Sequence, residues 1–105
     1  GRHFQFPEGQ HLVVGRREEE NQRLIELRQV GDVFLKILGI PGPLGLIRGK
    51  EDPGVFSLAA SILARFSKAR ERELLEVQFG HEVGNLSGRL QISPAKEEQI
   101  ADLRF

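Results

Sequence analysis

Short runs of alternating polarity open the chain and indicate β-structure. Residues 2–6 and 10–14 alternate between polar and apolar positions around a Pro-Glu-Gly turn at residues 7–9, so they predict a β-hairpin. The face that this alternation would bury carries Phe4, Phe6, Leu12 and Val14. On the same register His3 and His11 lie together on the outward face, where a surface role is expected.

A first helix is predicted over residues 17–28. Three glutamates fill its first turn at residues 18–20, where the helix dipole favours negative charge. Asn21 precedes Leu24 and Ile25 by three and four residues and therefore shares their apolar face. A buried amide needs hydrogen-bond partners, so Asn21 is predicted to tie the helix to neighbouring backbone.

The middle of the chain predicts two strands and a long helix. Residues 32–38 and 44–48 are strands joined by a Pro/Gly-rich turn at 39–43. A helix follows over 53–67, with a regular apolar stripe formed by Val55, Leu58, Ala59, Ile62, Leu63 and Phe66. Its opposite face carries small residues around Ala60 and Ala64, which would allow another surface to approach closely.

The last third of the chain predicts a further pair of strands and a terminal helix. Residues 74–79 and 89–92 are the strands, around a polar loop. Ser93 is a plausible N-cap for the helix, with Pro94 at its first position. The order ββαββαββα predicts an α+β fold: a mixed or mostly antiparallel sheet with helices packed on it.

Composition bounds the class of protein. A length of 105 residues suits one domain over 1–105. Cysteine and methionine are both absent, so disulfides are excluded and the chain is expected to be an excised part of a longer protein. No apolar run is long enough to span a bilayer, and a cytoplasmic location is expected. No residue set suggests a catalytic centre, a metal site or a cofactor.

Charge is neutral overall but unevenly placed. Residues 48–72 carry six cations and three anions, whereas 73–105 carry three and six. A positive segment of this kind suits contact with a polyanion. Tryptophan and tyrosine are absent, which favours contacts to the phosphate backbone over stacking on bases. The candidate RNA-binding residues are Arg16, Arg17, Arg48, Lys50, Arg65, Lys68, Arg70 and Arg72.

Several landmarks along residues 11–94 agree in order and spacing with one known family. They are Val14-Gly15-Arg16 followed by Asn21, then Gly31-Asp32, Pro41-Gly42, a helix ending Ala64-Arg65-Phe66-Ser67-Lys68-Ala69-Arg70, and a strand closing on Ile92-Ser93-Pro94. The chain thereby resembles the NFACT RNA-binding domain (NFACT-R). It resembles in particular the divergent version at the C-terminus of bacterial proteins with a thiouridine-synthetase-like PP-loop domain.

The resemblance implies tRNA binding in the service of tRNA sulfur modification, with an attached catalytic domain as partner. The better-known version has Trp-Phe-His after its Asp and Ser-His after its Pro-Gly, whereas here residues 33–35 are Val-Phe-Leu and residues 43–44 are Pro-Leu. The resemblance is therefore taken to imply RNA binding by this chain, but not catalysis. A protein-interaction or weakly dimerising domain, using the small helix face and the outward hairpin face, is the alternative; an autonomous enzyme is a third.

Overall fold

The computed structural model describes residues 2–104, and its elements follow the predicted order. They are β1 (Arg2–Gln5), β2 (His11–Gly15), α1 (Glu18–Glu26), β3 (Val33–Ile37), β4 (Leu44–Arg48), α2 (Pro53–Arg65), β5 (Leu75–Gly80), β6 (Gly88–Ile92) and α3 (Glu97–Ile100), with a 3-10 turn at Ala101–Leu103. The predicted α+β fold and its ββαββαββα order are confirmed.

All the described strands join one sheet in the order β1-β2-β4-β3-β5-β6, and every pairing is antiparallel. The register pairs Gly15 with Leu44 and His11 with Arg48, so β2 ends where β4 begins. This register fixes which loops meet at each end of the sheet.

Helix α2 covers one face of the sheet and builds the main core. Asp52 caps it by accepting the Val55 amide at 3.1 Å, and Pro53 occupies its first turn. Ile62 and Leu63 are fully buried together with strand residues such as Leu35. The prediction that Ile62 packs against the sheet is confirmed.

Helix α1 lies over the other face, where a smaller core forms. Its Leu24 and Ile25 pack with the buried strand residues Phe34, Leu44 and Leu46. The helix is shorter than predicted, with Arg17 as its N-cap and Leu27 as its C-cap. The two sheet faces therefore carry different helices and different side chains.

The C-terminal segment, residues 93–104, crosses α2 from β6 to the far edge of the sheet; we call it the strap. The Ala95 amide donates to the Ser61 carbonyl at 2.9 Å, and Arg104 forms an isolated antiparallel bridge with Phe4 of β1. Because residues 93–95 are held against α2 in this way, Ser93 is not the N-cap that was predicted, and α3 begins after Lys96.

The strap also changes the interpretation of the small-residue face of α2. Ala60 and Ala64 are fully buried in one cluster with Ala95 and Ile100 of the strap. Small residues here admit the chain's own C-terminal segment, so this face is not the open contact surface that the alternative interpretation required.

Candidate functional site

Two of the landmarks that carry the family resemblance, Gly15 to Asn21 and Pro41-Gly42, meet at the end of the sheet where β2 ends and β4 begins, whereas Gly31-Asp32 lies at the opposite end, before β3. The Asn21 side-chain amide donates to the Gly42 carbonyl at 3.2 Å, which confirms the predicted structural role of Asn21. Gly15 lies directly beneath it: a Cβ at this position would be 2.5 Å from Asn21 Oδ1. A side chain at position 15 would displace Asn21. The landmark from Gly15 to Asn21 and the landmark Pro41-Gly42 therefore form one packed unit.

The landmark from Ala64 to Arg70 forms the turn that follows α2. The Ser67 hydroxyl donates to the Ala64 carbonyl at 2.7 Å and accepts the Ala69 amide at 3.2 Å. Ser67 and Ala69 are buried, whereas Lys68 and Arg70 between and after them are exposed. Ser67 is therefore a structural residue whose hydrogen bonds present the neighbouring cations to solvent.

Phe66, at the end of α2, contacts Arg16, so the landmark at the end of β2 and the landmark at the end of α2 lie against each other. The guanidinium carbon of Arg16 lies 5.8 Å from the centre of its ring, and that of Arg2 lies 5.7 Å from it. The backbone amide of Arg16 donates to Glu20 Oε1 at 2.8 Å, and this bond is the largest of the interactions that lower the pKa of Glu20. Arg16 is thus fixed at both its backbone and its guanidinium.

Lys68 lies at the same end of the sheet. It borders a depression of about 290 Å³ that Ile40, from the loop before β4, and Arg72 also line. Arg70 and Arg72 line the next depression, of about 610 Å³, against the strap. We call Arg16, Lys68, Arg70 and Arg72 the basic end of the molecule. Within residues 2–104, none of these four cations forms an ion pair with a carboxylate.

Arg48 has a different environment on the α1 face. Its guanidinium donates to both oxygens of Asp32, at 2.8 and 2.6 Å, and the Asp32 side chain is only 2% exposed. Burial alone would raise the pKa of Asp32, but the Arg48 bonds and the Gln29 amide, at 2.9 Å, outweigh it and hold that pKa below its ordinary value. Arg48 therefore neutralises a buried carboxylate.

The remaining predicted cations lie apart from the basic end or are paired. Arg17 is 3.9 Å from Glu19 and 3.7 Å from Glu20. Arg65 is 3.2 Å from Glu97 of the strap. Lys50 follows the far end of β4, where its carbonyl accepts the Gln10 side-chain amide at 3.1 Å. The structure therefore places Arg16, Lys68, Arg70 and Arg72 at one end of the sheet, whereas Arg48 lies on the face that α1 covers.

The predicted histidine pair is present on the α1 face. His3 Nδ1 and His11 Nε2 are 3.0 Å apart, beside an open groove of about 900 Å³ that Arg48 also lines. Burial, followed by the nearby His3 and Arg48, lowers the pKa of His11. Among residues 2–104 no group of three or more His, Cys, Asp or Glu side chains could hold a metal ion, and no helix is long and apolar enough to cross a bilayer.

Two pairings were missed at the level of sequence, although hairpin register signals both. Arg2 alternates with Phe4 and so belongs to the α2 face, where it reaches the Phe66 ring. Val33 pairs with Ile47, which places Asp32 opposite Arg48. A register drawn through each hairpin would have predicted both contacts.

The fold and this end of the sheet define a small antiparallel α+β domain with an exposed basic surface. The chain belongs to the family of NFACT protein RNA binding domains, whose family model matches residues 1–104. Among solved structures, the C-terminal part of the fibronectin/fibrinogen-binding protein from Streptococcus suis is similar in fold, with a TM-score of 0.82 and 22% identity over 99% of this chain. The chain spans 49% of that structure. The comparison with curated proteins gives no match.

Proposed function

We propose that this chain is a tRNA-binding domain that contacts the phosphate backbone through its basic end. The family suggests an RNA partner. The observation that supports the proposal is that Arg16, Lys68, Arg70 and Arg72 all follow elements that end at the same end of the sheet, where β2 ends and β4 begins, with Lys68 and Arg72 beside Ile40 of the loop before β4. Among the described residues these cations have no carboxylate partner, so their charge is available to phosphate oxygens.

The chemistry of this surface favours recognition of shape over sequence. Phosphate contacts position a nucleic acid without reading its bases. Phe66 is half-buried and Phe79, another partly buried aromatic, packs against Phe56 in the core, so neither offers a free face of the kind that stacks bases. We expect the basic end to neutralise about three phosphates, which gives a slope of about −3 for the logarithm of affinity against the logarithm of salt concentration. The affinity for tRNA should then be about micromolar or weaker.

The biological setting follows from the sequence resemblance alone. We propose that the domain, over residues 1–105, is the C-terminal part of a cytoplasmic protein and presents tRNA to an attached PP-loop domain that installs thiouridine. This domain would bind and position the substrate while the attached domain performs the chemistry. No catalytic role is assigned to its own residues.

The test is a charge-reversal pair with a matched control. Lys68→Glu combined with Arg70→Glu changes two exposed residues of the basic end and should leave the fold intact, because surface changes usually cost little stability. Arg23→Glu combined with Arg89→Glu makes the same change of net charge at two exposed residues of α1 and β6. Titration of tRNA at two salt concentrations should show binding lost in the first variant and largely kept in the second.

Two results would refute the proposal. Equal loss of tRNA binding in both double variants would mean that net charge alone, without a located surface, drives association. Salt-independent affinity would exclude phosphate contacts as the source of binding. Circular dichroism of each variant verifies that the fold is retained.

A further inference from the structure

The ring of Phe66 holds two guanidinium groups that come from different parts of the chain. Arg2 belongs to the first strand and Arg16 to the joint between β2 and α1, yet both lie within 6 Å of the same ring centre. Both side chains are exposed, and among residues 2–104 neither has a carboxylate partner. Two guanidinium groups without a carboxylate bound to them therefore lie against one aromatic ring.

We propose that Arg2, Arg16 and Phe66 form a clamp for one phosphate group, the phosphodiester of bound RNA. The inference rests on the proposed function and adds to it a further binding residue, Arg2, and a positioning residue, Phe66. The clamp would let two cations that lie within 6 Å of one ring centre share one phosphate.

Rigid elements hold each part of this clamp. Arg2 is paired with Val14 in the β1–β2 ladder, and the Arg16 backbone amide is bound by the Glu20 carboxylate. Phe66 ends α2, where its amide donates to the Leu63 carbonyl at 3.1 Å. Because these anchors are fixed, little motion of the backbone has to be lost when an anion binds.

The ring keeps two long side chains near each other despite their like charge. An aromatic face attracts guanidinium groups through its quadrupole, and a stacked guanidinium keeps its N–H donors at its edge, free for oxygen acceptors. Two cations repel until an anion binds between them, and a phosphate oxygen can accept from both. The ring thereby organises the donors before RNA arrives.

The experiment separates the two arginines, the ring and general charge. Arg2→Ala and Arg16→Ala each remove one cation, and Arg89→Ala is the control on β6. Phe66→Leu removes the ring but keeps an apolar side chain, while Phe66→Tyr keeps the ring. Each variant is titrated with tRNA over a range of salt concentrations, and its arginine Nε–H signals are followed by NMR with and without inorganic phosphate.

Arg2→Ala and Arg16→Ala should each weaken tRNA binding about fivefold and reduce the salt slope by less than about one, because the other arginine still contacts the shared phosphate, whereas Arg89→Ala should change neither. Phe66→Leu should weaken binding with a smaller change in slope, because both cations remain, and should remove the ring-induced displacement of the Arg2 and Arg16 signals. Phe66→Tyr should restore both. If Phe66 had only a structural role, inorganic phosphate would shift the Arg2 and Arg16 signals equally in the native chain and in Phe66→Leu.

The outcomes are distinguishable. If the native chain binds tRNA but Arg2→Ala behaves like Arg89→Ala, the clamp is refuted and the proposed function stands. If the native chain does not bind tRNA, the proposed function fails and the clamp for RNA fails with it. Perturbation of the Arg2 and Arg16 signals by inorganic phosphate, without tRNA binding, would assign the pair to free phosphate and overturn the assignment to RNA.

Discussion

Arg16 and Arg48 are two arginines of one sheet that have opposite environments. Arg48 lies on the α1 face and gives two hydrogen bonds to Asp32, a carboxylate that is almost completely buried. Arg16 lies on the α2 face against the Phe66 ring, exposed and without a carboxylate partner among residues 2–104. Charge and residue type are the same in both positions, and only the surroundings differ.

The difference shows that a basic residue has to be assigned by its partner. A guanidinium that compensates a buried carboxylate contributes to stability, since removing it leaves an unpaired buried charge. A guanidinium without such a partner contributes little to folding and is available to a ligand. The comparison therefore predicts two kinds of variant, one that loses stability and one that loses RNA binding.

Removal of Arg48 should have the largest effect on stability. In Arg48→Ala the Asp32 carboxylate would keep the Gln29 amide but lose its charged partner, and we expect the free energy of unfolding to fall by about 3 kcal/mol. Thermal unfolding followed by circular dichroism measures this loss, with Arg89→Ala as control. An unchanged melting curve would mean that Arg48, like Arg16, contributes little to folding.

Gly15→Ala probes the packing that supports the basic end. The added methyl would lie 2.5 Å from Asn21 Oδ1, so Asn21 has to move and its bond to Gly42 is disturbed. We expect a loss of about 2 kcal/mol, from overpacking and the weakened hydrogen bond. Gly84→Ala is the control, since a Cβ there meets no atom within 4 Å. Equal stability of the two variants would contradict the close packing.

The Asp32–Arg48 pair should also show in the pH dependence of stability. The pKa of Asp32 in the folded state is below its ordinary value of 3.8, so the unfolded state binds the proton more readily and stability falls as the medium becomes acidic. We expect the native chain to exceed Asp32→Asn by about 1.5 kcal/mol at neutral pH. Urea unfolding should show this difference shrinking below about pH 4; a constant difference would refute the link.

Glu97→Gln should have the smallest effect, on RNA binding. The change frees Arg65, which lies next to Arg70 and Arg72, and also Arg104, which shares the same carboxylate oxygen, and we expect tRNA affinity to rise about twofold. Glu26→Gln, at an exposed residue of α1, makes the same charge change elsewhere. If both variants gain equally, the release of Arg65 has no specific effect.

Local pattern predicted most of the fold. The strand over 44–48 matches β4 in the structure, and α2 begins at Pro53 as predicted and ends two residues early. Asn21 was assigned correctly because helical period places it on the apolar face. These features depend on neighbours a few residues away, which is the range over which periodicity carries information.

Long-range contacts explain the errors. Ser93 has the chemistry of an N-cap, but the backbone bond from Ala95 to Ser61 holds its segment extended. The bond between Arg48 and Asp32, sixteen residues apart along the chain, was also missed. The contact of residues 93–95 with α2 depends on the path of the chain after β6, which composition and spacing alone do not specify.

The most direct test measures tRNA affinity and melting temperature for Arg16→Ala and Arg48→Ala side by side, at one low salt concentration and well below both melting temperatures. We expect Arg16→Ala to lose about fivefold in tRNA affinity with little change in melting temperature. Arg48→Ala should melt markedly lower and keep its affinity within about twofold. Loss of tRNA binding in Arg48→Ala with an unchanged melting temperature would contradict this expectation.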